Sequence, residues 1–359
     1  MVIISRRLAC VIAICFLIPT LSATTRTVGA DGATPSSTPA SGVSDRIFFR
    51  ASSGEKHVLY SINPDGSDLP RLAEVTRRDD PFTVSPDGKH ILFYTDEPGG
   101  DTKIHLMDAD GSNVRPFADL GNPAWSPDGQ WVAGTVSQGY TVASDIAVVS
   151  IDGSTTRQLT NNNRDNREPA WSPDGKSILY VSNDSKTDQL HLMNSDGSNQ
   201  HLLSPIPVDA LEQPQWSPDG KFIAVRSGTH IEQDFRLVVL NADGSNPREL
   251  TKPAEGVFVY FPSWSPDGKH ILYTQDDMNV EVISIVAVDA DGSNQRALAS
   301  DANLSSWPPA WSPDGKHIVF MMRDDEIFDL YVMNADGSNP HKVAANLGHC
   351  TNVFWRRIS

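Results

Sequence analysis

The amino-acid sequence predicts an all-β protein, a seven-bladed β-propeller of four-stranded antiparallel blades whose ring is closed by pairing of the N- and C-terminal strands. Three observations carry this prediction. Two short turn motifs recur in the same phase, at a period of about 45 residues that suits a four-stranded blade. The segments between the motifs are short runs with the residue types and alternation of strands. The first repeat lacks one strand, and the C-terminus supplies an extra one.

The first motif is Ser-Pro-Asp-Gly, preceded by tryptophan in every copy except the first, where Val84 stands. Its six copies begin at Ser85, Ser126, Ser172, Ser217, Ser265 and Ser312. Proline, aspartate and glycine in this order are the preferred filling of a type I turn followed by a left-handed glycine. The apolar runs after the motif are therefore predicted second strands, at 91–95, 132–136, 178–182, 223–227, 271–275 and 318–322. The tryptophans are predicted to wedge between neighbouring blades.

The second motif is Asp-Gly-Ser, with seven copies at Asp65, Asp110, Asp152, Asp196, Asp243, Asp291 and Asp336. Third strands precede it, for example at 104–108, 190–194 and 330–334. Short fourth strands follow, for example at 157–160 and 248–251. Seven copies favour seven blades, and the six copies of the first motif leave a six-bladed ring as the alternative.

The two ends of the repeat array predict how the ring closes. The runs at 46–50, 58–62 and 71–73 supply a second, third and fourth strand with no first strand ahead of them. At the other end, 352–358 has the place of a first strand, and Trp355 supplies its aromatic residue. Pairing of the two ends would remove two open sheet edges at once.

The N-terminal segment is predicted to lie outside the propeller. Residues 1–30 read as a secretory signal peptide, because two arginines precede an apolar run that is followed by small residues. Cleavage is expected after Ala30, with Ala23 as the alternative site. Residues 31–44 are rich in Ser, Thr, Pro and Gly and predict a flexible linker. The propeller domain is predicted to span 45–359, in a secreted or periplasmic protein without a stable membrane span after cleavage.

Charge and cysteine content narrow the classes of partner. The formal net charge is −16, which disfavours nucleic acid and anionic membranes as partners. Cys350 is the one cysteine outside the predicted signal peptide, so we expect no intrachain disulfide. The core and the ring closure must therefore stabilise the fold, and a monomer is expected.

The Trp-Ser-Pro-Asp-Gly and Asn-Ala-Asp-Gly-Ser-Asn sequences resemble the repeats of the TolB-type β-propeller family over nearly all of 45–359. This resemblance implies a propeller fold but no single activity. Similar propellers are envelope scaffolds that bind partner proteins, non-catalytic portions of prolyl-oligopeptidase-like and tricorn-like peptidases, or carbohydrate lyases.

The candidate site lies on the face opposite the two turn motifs, where the irregular loops emerge. In most blades a proline lies just before or within the inner strand, and the residue before it is expected at the mouth of the central channel. These positions and their neighbours give the candidate binding residues Arg78, Asp80, Asn122, Arg167, Glu168, Gln213, Tyr260, Phe261 and Trp307. They predict a mixed polar and aromatic site for a protein partner or a small or oligomeric ligand.

Catalysis has little support in the sequence. It contains no Gly-x-Ser-x-Gly, His-Glu-x-x-His or phosphate-binding glycine-rich motif, and we assign no catalytic residue, metal or cofactor. The predicted function is an extracytoplasmic binding or scaffold protein. The alternative is a carbohydrate lyase or hydrolase with its site at the same mouth, for which His57, His230 and His349 stand outside the repeat pattern.

Overall fold

The structure is a computed structural model, which describes residues 44–53, 56–75, 82–96, 102–137, 143–183, 187–208, 213–228, 235–324, 327–348 and 350–358. The predicted signal peptide and nearly all of the linker lie outside the described residues. The candidate site residues Arg78 and Asp80 and the histidines His230 and His349 also lie outside the described residues.

Within these ranges, 28 strands pair into seven four-stranded antiparallel sheets. Blade 1 contains β28 (Cys350–Ile358), β1 (Ser44–Ser53), β2 (Lys56–Ile62) and β3 (Arg71–Val75), from the inner to the outer strand. Blade 2 contains β4 (Thr83–Val84), β5 (His90–Asp96), β6 (Thr102–Asp108) and β7 (Arg115–Pro116). Blade 3 contains β8 (Gly121–Trp125), β9 (Trp131–Ser137), β10 (Ser144–Ser150) and β11 (Thr156–Gln158).

The other four blades repeat the same order of strands. Blade 4 contains β12 (Asp165–Trp171), β13 (Ser177–Asn183), β14 (Asp188–Asn194) and β15 (His201–Pro207). Blade 5 contains β16 (Gln215–Trp216), β17 (Phe222–Ser227), β18 (Arg236–Asn241) and β19 (Arg248–Glu249). Blade 6 contains β20 (Val257–Trp264), β21 (His270–Asp277), β22 (Val282–Asp289) and β23 (Arg296–Asp301). Blade 7 contains β24 (Ala310–Trp311), β25 (His317–Asp324), β26 (Ile327–Asn334) and β27 (His341–Ala344).

The predicted ring closure is confirmed. Strand β1 pairs antiparallel with β28, from Ser44 opposite Ile358 to Ala51 opposite Cys350. The fold is therefore a seven-bladed propeller in which the C-terminal strand completes the first blade, and the six-bladed alternative is wrong. The described residues contain no helix with the length and apolar character that a membrane crossing needs.

The apolar core is divided among the blade junctions. The described residues form seven buried clusters, and each joins side chains of two adjacent blades. Neighbouring residues of one strand face opposite junctions, as with Val132 in the cluster between blades 2 and 3 and Ala133 in that between blades 3 and 4. Both faces of each sheet are thus buried, which explains why the second strands read as continuous apolar runs.

The Ser-Pro-Asp-Gly turns are held by their own serine and aspartate. In the first copy, Asp87 Oδ1 accepts bonds from Ser85 Oγ at 2.7 Å and from the Lys89 N–H at 3.1 Å. The His90 N–H in turn donates to Ser85 Oγ at 2.9 Å. The left-handed Gly88, with φ of 71°, completes the turn. The motif aspartates are thus turn residues, as the sequence predicts.

The motif tryptophans lie at the junctions between blades. In four of them the indole Nε1 donates to a backbone carbonyl on the inner strand of the preceding blade. These bonds are Trp171 to Ala124 at 3.2 Å, Trp216 to Ala170 at 3.4 Å, Trp264 to Gln215 at 3.2 Å and Trp311 to Ser263 at 3.3 Å. The acceptor is always the residue before the preceding motif tryptophan, so the bonds link blades 3 to 7 in series.

At the other junctions the described residues form no such bond. The indole Nε1 atoms of Trp125 and Trp355 are buried and have no hydrogen-bond partner among the described residues. Blade 2 has Val84 in place of the tryptophan. The junctions between blades 7 and 1, 1 and 2, and 2 and 3 are therefore held without an indole bond.

Candidate functional site

The candidate site is built on a bulge in the inner strand, three residues before the motif tryptophan. In blades 1, 3, 4 and 6 the first strand carries one extra residue relative to the second strand at this point of the ladder. Each bulge contains one residue with positive φ: Asn352 (48°), Asn122 (48°), Glu168 (51°) and Phe261 (56°). A bulge of this kind bends a strand and re-aims a side chain.

Polar side chains link three consecutive blades at this level. The Asn122 side-chain amide of blade 3 donates to Glu168 Oε1 of blade 4. The Gln213 side-chain amide of blade 5 donates to the backbone carbonyl of Pro169 in blade 4. Asn122, Glu168 and Gln213, which we call the polar arc, are thus connected across blades 3 to 5.

Aromatic side chains occupy the next two blades. The rings of Phe261 in blade 6 and Trp307, which precedes blade 7, are nearly parallel, with centroids 6.4 Å apart and planes 14° apart. Tyr260 lies 6.0 Å from Phe261 and 6.3 Å from Phe258, measured between ring centroids. All four side chains are half-buried. We call Phe258, Tyr260, Phe261 and Trp307 the aromatic shelf.

A buried arginine lies against the aromatic shelf, and it is not among the site residues predicted from the sequence. The Arg226 side chain is only 6% exposed, and its guanidinium carbon lies 4.5 Å from the Tyr260 ring centroid and 3.7 Å from that of Phe235. Such cation–π contacts fix the orientation of both rings. The sequence does contain a sign that Arg226 is unusual, because it is a charged residue within the otherwise apolar run 223–227. The crevice between Arg226, Tyr260 and Pro262 has no room for a water molecule.

Arg167 is engaged within its own blade. Its Nη2 lies 2.9 Å from Asp188 Oδ1, and its Nε lies 3.3 Å from Asp165 Oδ2. The side chain therefore braces β12 against β14, and its positive charge is balanced by two carboxylates.

The structure thus places seven of the nine predicted site residues, and the remaining two lie outside the described residues. Asn122, Glu168 and Gln213 are joined in the polar arc, and Tyr260, Phe261 and Trp307 belong to the aromatic shelf. Asn352 occupies the same bulge position in blade 1 and was missed, because no proline follows it. Counting back three residues from Trp355 would have found it.

The histidines and carboxylates give no metal site in the described part of the chain. No group of three or more His, Cys, Asp or Glu side chains there is placed to hold a metal ion. His57 lies on β2, opposite Ser52 of β1 and Val75 of β3, and so not on an inner strand.

The repeats and the closed ring define a β-propeller repeat protein. The family described as the TolB beta propeller domain matches residues 117–307 and 222–357, which together cover more than half of the chain. The chain therefore belongs to the TolB β-propeller domain family.

Two curated relatives match parts of the chain. An uncharacterized peptidase, YuxL of Bacillus subtilis (strain 168), is 23% identical over 192 residues, which are 43% of this chain and 29% of the relative. The uncharacterized protein Atu1656 of Agrobacterium fabrum (strain C58 / ATCC 33970) is 31% identical over 97 residues, which are 23% of this chain and 33% of the relative. The matches thus span no more than about a third of the length of either relative.

Solved structures of several functional classes share the fold. TolB from Acinetobacter baumannii superposes with a TM-score of 0.52 and 20% identity, covering 86% of this chain and 66% of TolB. An oligogalacturonate lyase in complex with manganese gives a TM-score of 0.59 and 17% identity, covering 83% and 84% of the two chains. A prolyl endopeptidase gives a TM-score of 0.61 and 13% identity, covering 87% of this chain and 50% of the endopeptidase chain. At these identities the likeness concerns the fold alone.

Proposed function

We propose that this protein is a secreted or periplasmic binding or scaffold protein, which binds a protein partner or ligand through the loop face and the channel mouth. The observation that supports this proposal most is that the polar arc and the aromatic shelf lie side by side, on consecutive blades. Signal-peptide character in residues 1–30, followed by a low-complexity linker, supports export of the propeller.

The chemistry of the mouth suits binding. Aromatic rings offer large contact area at low entropic cost, and such residues dominate the energetics of interfaces. Side-chain amides such as those of Asn122 and Gln213 both donate and accept hydrogen bonds. The shelf rings are half-buried and already held by their neighbours, so little side-chain freedom remains to be lost on binding.

The test compares substitutions at the mouth with matched substitutions elsewhere on the propeller. Glu168→Gln and Trp307→Ala change the mouth. Glu249→Gln on the outer strand β19 removes the same charge, and Trp131→Ala at the start of β9 removes the same side chain on the turn face. Purified propeller is cross-linked in an extract of the native cell envelope, and the captured species are quantified by mass spectrometry.

We expect the two mouth variants to lose the same captured species and the two controls to retain them. Capture that is equal in all four folded variants would refute the proposal. Turnover of acidic oligosaccharides or peptides by the wild-type protein, abolished by the mouth variants, would favour the lyase or hydrolase alternative instead.

A further inference from the structure

The chain contains two Asn-x-Ser sequences, and the structure separates them. The first is 183–185, which begins at the last residue of β13, and the second is 303–305, between β23 of blade 6 and β24 of blade 7. An asparagine followed two residues later by serine or threonine can accept an N-linked glycan when it is exposed on a secreted chain. Exposure and hydrogen bonding of the two asparagine side chains therefore decide which of them suits this modification.

Asn303 has the properties of an acceptor. Its side chain is exposed, and its side-chain amide forms no hydrogen bond to another of the described residues. The Asn303 N–H donates to Asp301 Oδ1 at 2.8 Å, and the Asn303 carbonyl accepts from the Arg323 N–H at 2.7 Å, so both bonds use the backbone. A glycan on the side-chain nitrogen would therefore break no hydrogen bond within the part of the chain that the structure describes.

Asn183 differs on both counts. Its side chain is half-buried, and its Nδ2 donates to Asp188 Oδ1 at 2.8 Å. The same carboxylate oxygen accepts from Arg167 Nη2 at 2.9 Å. A glycan on Asn183 would break this contact between β13 and β14, so Asn183 serves as the control for Asn303 within the same chain.

We infer that Asn303 is a site of N-linked glycosylation, which an oligosaccharyltransferase modifies from a lipid diphosphate-linked oligosaccharide. In this transfer the Asn303 side-chain nitrogen forms a bond to C1 of the first sugar, and the bond between C1 and the phosphate oxygen breaks. The lipid diphosphate leaves with the electron pair of that bond, and the amide nitrogen loses one proton. The inference rests on the export proposed above and not on the binding of a partner at the channel mouth.

The contacts of Ser305 and Leu304 in the folded protein determine when the transfer takes place. Ser305 supplies the hydroxyl that the motif requires, but it is only 5% exposed and its Oγ accepts from the Trp307 N–H at 3.2 Å. Leu304 is buried in the cluster between blades 6 and 7 and forms a β-bridge with Met322 of β25. The Ser305 N–H donates to the carbonyl of Met321, also on β25, at 3.0 Å.

Strand β25 follows 303–305 in the chain, so the contacts with β25 form only after blade 7 has been synthesised. Before that point Leu304 and Ser305 are free to enter an enzyme, whereas in the folded propeller both are buried. The transfer to Asn303 therefore precedes the folding of blade 7. The folded propeller can still carry the glycan, because the Asn303 side chain stays exposed.

The test exports the protein through a signal peptide known to function in the bacterial host, so that it does not depend on residues 1–30. The host carries an oligosaccharyltransferase that accepts Asp/Glu-x-Asn-x-Ser/Thr, a sequence that 301–305 matches, together with its lipid-linked oligosaccharide. Peptide mass spectrometry of the exported protein locates the glycan. We expect one glycan, at Asn303, in the wild type and in Asn183→Gln, and none in Asn303→Gln or Ser305→Ala.

A second reaction tests the order of events. Purified, folded and unglycosylated protein is incubated with the same enzyme and oligosaccharide. We expect at least about tenfold less modification than during export, because Ser305 reaches the enzyme only when its segment opens locally. Equal modification of the folded protein would refute the proposed order. Asn303→Gln should keep the melting temperature of the wild type, and a destabilised variant would contradict the availability of the Asn303 side chain.

The protein from its native source should carry a glycan at Asn303 after export. An exported wild-type protein without a glycan, in the native source or in the bacterial host, would overturn the inference, as would a glycan that persists in Asn303→Gln. Either result would leave the proposed binding function intact, because that proposal is tested by the capture of partners in Glu168→Gln and Trp307→Ala.

Discussion

Substitution of Trp264 and of Trp355 by phenylalanine should have different effects on stability, although both residues hold the same position in their blades. Both are buried, at 8% and 3% exposure. Each ring stacks near-parallel on a ring of the preceding blade, Phe222 for Trp264 and His317 for Trp355. The two differ in the indole Nε1, which donates to the Gln215 carbonyl in Trp264 and has no partner among the described residues in Trp355.

The expected magnitudes follow from this difference. Loss of part of the indole should cost about 1–2 kcal/mol at either site, a fraction of the cost of a full Trp→Ala truncation. At Trp264 the lost hydrogen bond adds about 1 kcal/mol. At Trp355 the substitution removes a buried donor without a partner, which relieves about 1–3 kcal/mol. Trp264→Phe should therefore lower the free energy of unfolding by about 2–3 kcal/mol, whereas Trp355→Phe should change it by between about −1 and +2 kcal/mol.

Urea unfolding of the two variants measures this difference. The slope of the free energy against urea concentration must be the same in both variants, because a large repeat fold need not unfold in one step. The same comparison extends to the other tryptophans: Trp125→Phe should resemble Trp355→Phe, and Trp171→Phe and Trp311→Phe should resemble Trp264→Phe. Equal destabilisation at Trp264 and Trp355 would show that the indole bonds do not determine the strength of the junctions.

The ring closure, the inner-strand bulges and a turn aspartate can each be tested by one change. Truncation that removes β28 should eliminate the main cooperative transition in calorimetry, because β1 loses its inner partner; an unchanged transition would contradict the observed closure. Glu168→Asn and Phe261→Asn should each change the free energy of unfolding, measured in urea, by less than about 1 kcal/mol. The reason is that relief of about 1–2 kcal/mol of strain from the left-handed backbone offsets the lost side-chain contacts. A larger loss of stability would mean that the bulge is not strained. Hydrogen bonds from Ser150 and Ser154 lower the pKa of Asp152 from 3.8 to about 2. The stability that these hydrogen bonds contribute is therefore complete above pH 4 and is lost as the pH falls towards 2. Asp152→Asn should therefore weaken the acid dependence of the melting temperature, and an unaltered acid profile would refute the assignment.

The fold was predictable because its determinants are local and repeated. The turn chemistry of the two motifs locates each hairpin, and the predicted strand at 91–95 corresponds to β5 (His90–Asp96). The closing strand predicted at 352–358 corresponds to β28 (Cys350–Ile358). Outer strands were less predictable, since their length depends on packing at the periphery: β15 has seven residues and β19 has two.

The positions of the inner-strand bulges were more predictable than the contacts of the candidate site residues. The proline pattern located Asn122, Glu168 and Phe261 at one level of the inner strands, because a proline marks where the ladder is interrupted. It could not show that Asn122 bonds Glu168 in the next blade or that Phe261 stacks on Trp307, since these contacts join residues about one repeat apart. Identical motif tryptophans likewise differ in their hydrogen bonds because the carbonyl they meet belongs to another blade.

The indole bonds lie in the same blades as the polar arc and the aromatic shelf. The four bonds join blades 3 to 7, and the polar arc and aromatic shelf occupy these same blades. The junctions without an indole bond surround blades 1 and 2, where the two chain ends meet. A binding site needs its groups held within a fraction of an ångström, and rigid supporting elements provide this. The polar arc and the aromatic shelf therefore lie outside the closing blade, so that adjustment at that blade need not displace them.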